Sequence, residues 1–241
     1  MFSKKTKTQI GWSVWIASET ADDPQHQWKH SVYFAPEPMT HLVVKEKDAH
    51  YTKCPAVVDY FQNVFLIRCP YDITVNYNDK EQYLHVDGMD QEFFDHNIMV
   101  RYNDYGPNNY PLLTIRIEYL FVADQDVVIE SLPVSLFTTP LLQNTMLVPG
   151  TFNIHKWPRP LDFTFEIIDQ SKPLVFKRGD PLFAVRFRAN NNVELTRIDI
   201  SSQLRQTVES LLKSRKAVSG KNLAARYEMA KNWLFGRKWL S

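Results

Sequence analysis

His85 and Asp87 stand two apart in His85-Val86-Asp87, and a further histidine, His155, follows some seventy residues on. Two imidazoles and one carboxylate gathered on one face of an iron(II) ion leave positions open for oxygen and for a co-substrate such as 2-oxoglutarate. Strands suit such a set, because residues two apart on a strand share a face. Arg159, four residues after His155, is placed to take the co-substrate carboxylate in a bidentate contact. The candidate metal ligands are therefore His85, Asp87 and His155, with Arg159 for cofactor binding.

In spacing this set resembles the iron(II)/2-oxoglutarate oxygenases. It departs from them in bringing the basic residue only four positions after the distal histidine. A plainer reading competes: a His-x-Asp arises by chance in a chain with 7 His, and Asp87-Gly88 is itself turn chemistry. On that reading these residues end an exposed hairpin. Asp95 and His96 are adjacent, so on a strand they would face opposite ways, and they read as surface. Cys54 and Cys69 each precede a proline. They lack the close-spaced Cys and His of a metal site, and read as small buried hydrophobes in a reducing compartment. Lys177-Arg178-Gly179-Asp180 contains an Arg-Gly-Asp tripeptide, but the following proline makes it a turn ahead of a strand. Trp157-Pro158-Arg159-Pro160 is rigid, either a contact surface or the corner before a Phe-rich strand. The chain holds no Gly-x-Gly-x-x-Gly, Walker-type loop or Gly-x-Ser-x-Gly elbow.

A different kind of chemistry gathers near the C-terminus. From Gln203 onward nine basic residues stand against Glu209 and Glu228, although the whole chain carries a net charge of only +1. Lys213, Arg215 and Lys216, with Trp233 and Trp239 further on, are the candidate contact surface for a protein partner, for self-association, or for single-stranded nucleic acid. A solvated basic face is the competing reading.

The elements that must position these residues are mostly strands. Aromatic residues make up 13% of the chain, with 15 Phe and 11 Tyr, a composition suited to half-covered sheets. Leu113, Ile115, Ile117, Tyr119 and Phe121 alternate with Thr114, Arg116, Glu118 and Leu120, and give the longest strand pattern. Leu161 to Ile167 and Phe183 to Phe187 alternate likewise and are expected as adjacent strands over one core, with Gly150 and Gly179 as the turns that set them. Shorter strands are expected over 10–16, 31–34, 64–67, 72–77, 82–86 (a hairpin return), 98–102, 127–130 and 193–200. A helical turn is expected after Pro55, and 87–111 otherwise reads as loop.

From Ser201 the period changes. Leu204, Val208, Leu211 and Leu212, then Leu223, Tyr227, Ala230 and Leu234, predict a helical hairpin broken at Ser219-Gly220. The fold class is therefore all-β, a sandwich or jelly-roll-like barrel over 1–200, carrying a C-terminal α-helical hairpin over 201–241. No run approaches the roughly 20 apolar residues of a membrane span, and the N-terminus lacks an apolar segment of signal-peptide length. No membrane partner and a cytoplasmic setting are expected.

Several motifs together resemble a family of uncharacterised β-rich proteins found in bacteria and marine T4-like phages. They are Pro36-x-Pro38, Cys54-Pro55 leading through Phe61 and Phe65 to Pro70-x-Asp72-Ile73, Pro111-Leu112-Leu113, Gly150 followed by Arg159-Pro160, and Gly179-Asp180-Pro181-Leu182 before Val185-Arg186-Phe187-Arg188. The resemblance spans about residues 36 to 190. It implies a β-rich fold and a phage source, hence the host cytoplasm or the virion as location, and brings no catalytic residues. The expected function is a non-catalytic binding or structural protein without cofactor. The alternative is an oxygenase using iron(II) and 2-oxoglutarate.

Overall fold

The structure, a computed structural model, describes residues 7–15, 32–45, 54–78, 83–106, 108–217, 224–225, 227–228, 230 and 240. Its elements run β1 Thr8–Val14, β2 Glu37–Pro38, α1 Met39–Lys45, α2 Pro55–Tyr60, β3 Val64–Arg68, β4 Ile73–Asn78, β5 Tyr83–Asp87, α3 Gln91–Asn97 and β6 Met99–Tyr105. Then follow β7 Pro111–Val122, β8 Val128–Leu132, α4 Pro140–Gln143, β9 Thr145–Leu147, β10 Thr151–Asn153, β11 Pro160–Ile167, β12 Leu174–Phe176, β13 Pro181–Arg188, β14 Val193–Arg197 and α5 Ser202–Ala217. The chain is mostly β, and among the described residues the strands form three sheets.

The longest alternating run, β7, becomes the hub of the six-stranded sheet, ordered β14-β1-β7-β11-β9 with β6 also on β7. β11 follows one edge of β7. β6 takes the first half of the other edge, and β1 takes it from Tyr119 onward. The changeover falls at Glu118, whose φ of 52° lies in the left-handed region uncommon outside glycine. Across from it the β11 register jumps between Pro160 and Asp162, a bulge that re-aims the strand.

The second sheet runs β10-β8-β13-β3-β2 and the third β12-β4-β5. β11 and β13 are not neighbours in one sheet, contrary to the expectation from their matching patterns. They face each other across the core, where Phe163 stacks on Phe183 at 5.4 Å; beside them Phe121 of β7 meets Phe187 of β13 edge-on at 5.2 Å. Alternation shows which face of a strand is buried, not which strand lies beside it.

Residues 32–34 are not strand either, and Ser31 lies outside the described residues. Pairing starts at β2, in the proline pair itself, against β3. Tyr33 and Phe34 instead supply polar groups to the interior. The Tyr33 and Tyr71 hydroxyls meet at 3.0 Å, Tyr71 donates to the Arg116 carbonyl at 2.7 Å, and Tyr119 donates to the Phe34 carbonyl at 2.6 Å. Burial holds all three phenols well above the ordinary tyrosine value and pushes the Cys69 thiol up to about 12. Cys69 is the buried small residue its sequence context indicated; Cys54 is exposed, at the N-cap of α2.

Within 87–111, read as loop apart from one strand, α3 is an additional element. The Asp90 carboxylate accepts from the Phe93 N–H at 2.8 Å, Phe94 is fully buried, and the Gln91 side chain bonds backbone groups of Leu84 and Val86. Gly179, at φ 91°, is the turn expected: its N–H donates to the Cys69 carbonyl while the Asp180 carbonyl accepts from Cys69. Arg178 lies over the Phe34 ring at 4.5 Å, so the Arg-Gly-Asp tripeptide is part of a strand connection. Gly150 differs. It has no left-handed φ, and a Cβ there would meet nothing within 4 Å, so no turn geometry demands glycine.

α5 begins as expected, with the Ser201 hydroxyl accepting from the Leu204 N–H at 3.2 Å. Leu204 and Val208 pack on Trp15, Leu120 and Val122, and Leu211 packs with Trp157 and Ala230. One helix of the expected hairpin is thus described; the second limb falls largely outside the described residues. No helix among the described residues is long and apolar enough to cross a membrane.

Candidate functional site

β5 carries His85 and Asp87 on one face, as residues two apart must be. Their side chains meet, Nε2 to Oδ1, at 3.1 Å, and Asn76 donates to the other Asp87 oxygen at 3.1 Å. Both side chains are more than half exposed, on the edge strand of the three-stranded sheet.

His155 is elsewhere. It sits in the turn after β10, an edge strand of the five-stranded sheet, where Asn153 organises the backbone by accepting from the N–H groups of His155 and Lys156 at 2.9 Å each. Its Nδ1 faces the Ala123 carbonyl at 2.9 Å, which makes Nδ1 the protonated nitrogen because a carbonyl only accepts. The structure therefore joins two of the three expected metal ligands and separates the third. Among the described residues no group of three His, Cys, Asp or Glu is arranged to hold a metal ion. Beside this turn Asp126 is held below its usual value, chiefly by the hydrogen bond from Lys156 at 3.0 Å.

Arg159 lies near the start of β11, apart from β5 in the chain's sheets. Its guanidinium lies 5.0 Å from the Trp157 ring and 5.4 Å from the Phe152 ring, donates to the Pro160 carbonyl, and contacts Asp162 at 3.3 Å. Its side chain and that of Asp162 are each less than a fifth exposed. This arrangement forms one end of a cleft of about 360 Å³ at the corner where the chain passes from β9 to β10. Thr114 and Thr164 lie in it side by side in the β7–β11 register, their hydroxyls 3.0 Å apart. Both alternate with core residues and so occupy the face of the sheet turned away from the core. Val148, Pro149, Gly150, Thr151 and Ser131 are also among the residues that line the cleft. The backing of Trp157 comes from α5, through Leu211, and from Tyr227, whose hydroxyl accepts from the Asn153 N–H at 2.7 Å. Sequence reading singled out Trp157 and Arg159 but missed Asp162 and the two threonines. Their signal was present in the polar positions of two alternating strands; what was missing was the pairing that puts 114 beside 164.

A larger cleft, about 560 Å³, opens between the edges of the two main sheets, where β14 approaches β2 and the start of β3. Several of its polar groups hold those edges together. Glu194 accepts from Lys7 at 2.8 Å and from Gln9 at 2.7 Å, which lowers its carboxyl below the usual value. Asn63, at φ 57°, bonds Asn191 and Val193, and Gln62 bonds Asn192.

Of the expected contact surface, Lys213 is exposed on α5. Arg215 and Lys216 belong to the last turn of the same helix, with side chains outside the described residues, and Trp233 and Trp239 also lie outside them. Arg205, on the buried half of the helix, lies over the Trp15 ring at 5.4 Å. No family model matches the chain, and no curated protein matches it closely enough to stand as a relative.

Proposed function

We propose that the protein is a non-catalytic binding or structural protein, phage-encoded and acting in the host cytoplasm or the virion, with a β-sandwich as scaffold and the basic C-terminal helical hairpin as contact surface. The observation that carries this reading is the seating of α5. Leu204, Val208 and Leu211 are buried against the β body while Lys213, on the same helix, is exposed. A basic segment held in this way meets a partner as a pre-ordered surface, which lowers the ordering cost of association. The reading requires no metal or cofactor. Its support in the remaining polar chemistry is that the candidate groups are engaged within the fold: His155 on a carbonyl, Arg159 on Asp162, Cys69 in the interior.

The test is charge reversal of Lys213, Arg215 and Lys216 to Glu, followed by sedimentation velocity of the purified chain and by titration with a fluorescent single-stranded oligonucleotide. Self-association weakened by about tenfold or more supports a protein interface, and loss of oligonucleotide binding supports a nucleic-acid surface. Unchanged behaviour in both measurements removes the hairpin from the function.

A further inference from the structure

The geometry points to the cleft at the β9–β10 corner as a binding site for a neutral polyhydroxylated ligand, a pyranose sugar unit. This inference is independent of the contact surface on α5. At about 360 Å³ the cleft lies at the lower end of the range for small-molecule sites, roughly 300–1,000 Å³, and suits a small ring rather than an extended polymer.

Charge decides the ligand class. Arg159 and Asp162 contact each other at 3.3 Å at one end of the cleft. An anion drawn to the guanidinium meets the carboxylate, and a cation drawn to the carboxylate meets the guanidinium. A neutral ligand meets one fixed donor and one fixed acceptor side by side. The other side-chain polar groups of the lining are mostly hydroxyls, those of Thr114 and Thr164, 3.0 Å apart, where either can donate, and those of Ser131 on β8 and Thr151 on β10, along with the Trp157 indole N–H. A hydroxyl pair with reversible direction is matched by ligand hydroxyls, which both donate and accept. Val148 and Pro149 supply the apolar wall against which the C–H face of a sugar ring packs.

The site is also pre-organised. The guanidinium is fixed over the Phe152 and Trp157 rings and by the Pro160 carbonyl. Trp157 is backed by Leu211 of α5. Gly150 lines the cleft, and a Cβ there would meet nothing within 4 Å. Its backbone lies outside the left-handed region, so a larger side chain is accommodated there without backbone strain and serves as a probe of that wall.

The full chain, ¹⁵N-labelled, is titrated separately with glucose, galactose, mannose and N-acetylglucosamine to about 50 mM, enough to occupy a site of roughly millimolar affinity, with inorganic phosphate and spermidine as charged controls. The expected result is saturable movement of amide signals between 147 and 164 with at least one sugar and with neither control. Thr164→Val weakens that binding by about tenfold. Gly150→Leu abolishes it while the remaining spectrum stays in place, which separates a blocked site from a misfolded chain. Movement of these amides with phosphate or spermidine but no sugar overturns the assignment. So does the absence of movement with every sugar, and so does sugar binding that survives Gly150→Leu.

Discussion

The backbone N–H of Asn153 donates to the Tyr227 hydroxyl at 2.7 Å, tying the turn that carries His155 to a residue 74 positions later in the chain. The bond joins the C-terminal segment to the β body at the same place where Leu211 and Ala230 meet Trp157. Tyr227→Phe keeps the ring and removes the acceptor. The expected loss is about 0.5–1.5 kcal/mol in urea unfolding, with faster hydrogen exchange at the Asn153 amide. Unchanged exchange at that amide means the bond does not hold the turn.

Val208 is fully buried between α5 and the outer face of the six-stranded sheet, beside Leu120 and Val122. Val208→Asp places an unpaired charge in that contact, at a cost of several kcal/mol relative to the docked state. α5 should undock while the inter-sheet core, which it does not enter, persists. Limited proteolysis then cuts near residue 201 well before it cuts the β body. Lys213→Glu, an exposed change, should leave stability within about 0.5 kcal/mol. Equal protease resistance of Val208→Asp and the parent chain refutes the docking argument.

Gly106 is needed for space. A Cβ there would overlap the carboxylate of Glu166, which is 2% exposed and accepts from the Asn108 N–H at 3.1 Å and its side-chain amide at 2.7 Å. Gly106→Ala displaces that carboxylate from its donors and should cost about 1–3 kcal/mol, the range for unsatisfying a buried polar group. The denaturation midpoint measures it, and a midpoint equal to that of the parent chain shows that the loop simply shifts.

Alkaline pH should unfold the protein from within. Cys69 is raised by burial from 9.0 to about 12, and Tyr33, Tyr71 and Tyr119 lie well above 10.0 for the same reason. Each group binds its proton more tightly folded than unfolded. Its contribution is therefore complete below the unfolded value and is lost as pH rises toward the folded one. Stability should fall from about pH 9, where the thiol begins, and more steeply above pH 10, at about 1.4 kcal/mol per pH unit for each group engaged. Urea midpoints at pH 8, 9, 10 and 11 measure this. Cys69→Ala should flatten the fall between pH 9 and 10 and leave the later one. A flat profile to pH 11 would falsify the buried-phenol account.

Strand positions were legible because apolar patterning is a local property: β1, β4, β5, β7, β11 and β13 lie on period-2 alternation, and β3 lies on a short continuous apolar run. Even the docking of α5 left a trace, since Leu120 occupies a position in the β7 alternation that a solvent-facing strand fills with a polar residue. α3 was missed because it is a seven-residue helix with one buried side chain, too short for a periodic signal beside strong turn residues.

The sequence by itself determined that the chain is mostly strand and that a capped helix begins after Ser201; a common reading of Cys54 with Cys69, and of Gly150 with Gly179, fits only one of each pair, since Cys54 is exposed and Gly150 has no left-handed φ. The β4–β5 hairpin was also legible from its turn residues; tertiary structure alone decided how strands distant in sequence pair and which face one another. That decision separates His155 from His85 and Asp87, sets Phe163 of β11 against Phe183 of β13, and brings Thr114 beside Thr164 next to Arg159 and Asp162. The reason is physical: alternation encodes the buried face of each strand within a few residues. Outside a hairpin such as β4–β5, neighbour choice is settled by contacts between segments tens of residues apart, and no local pattern records it.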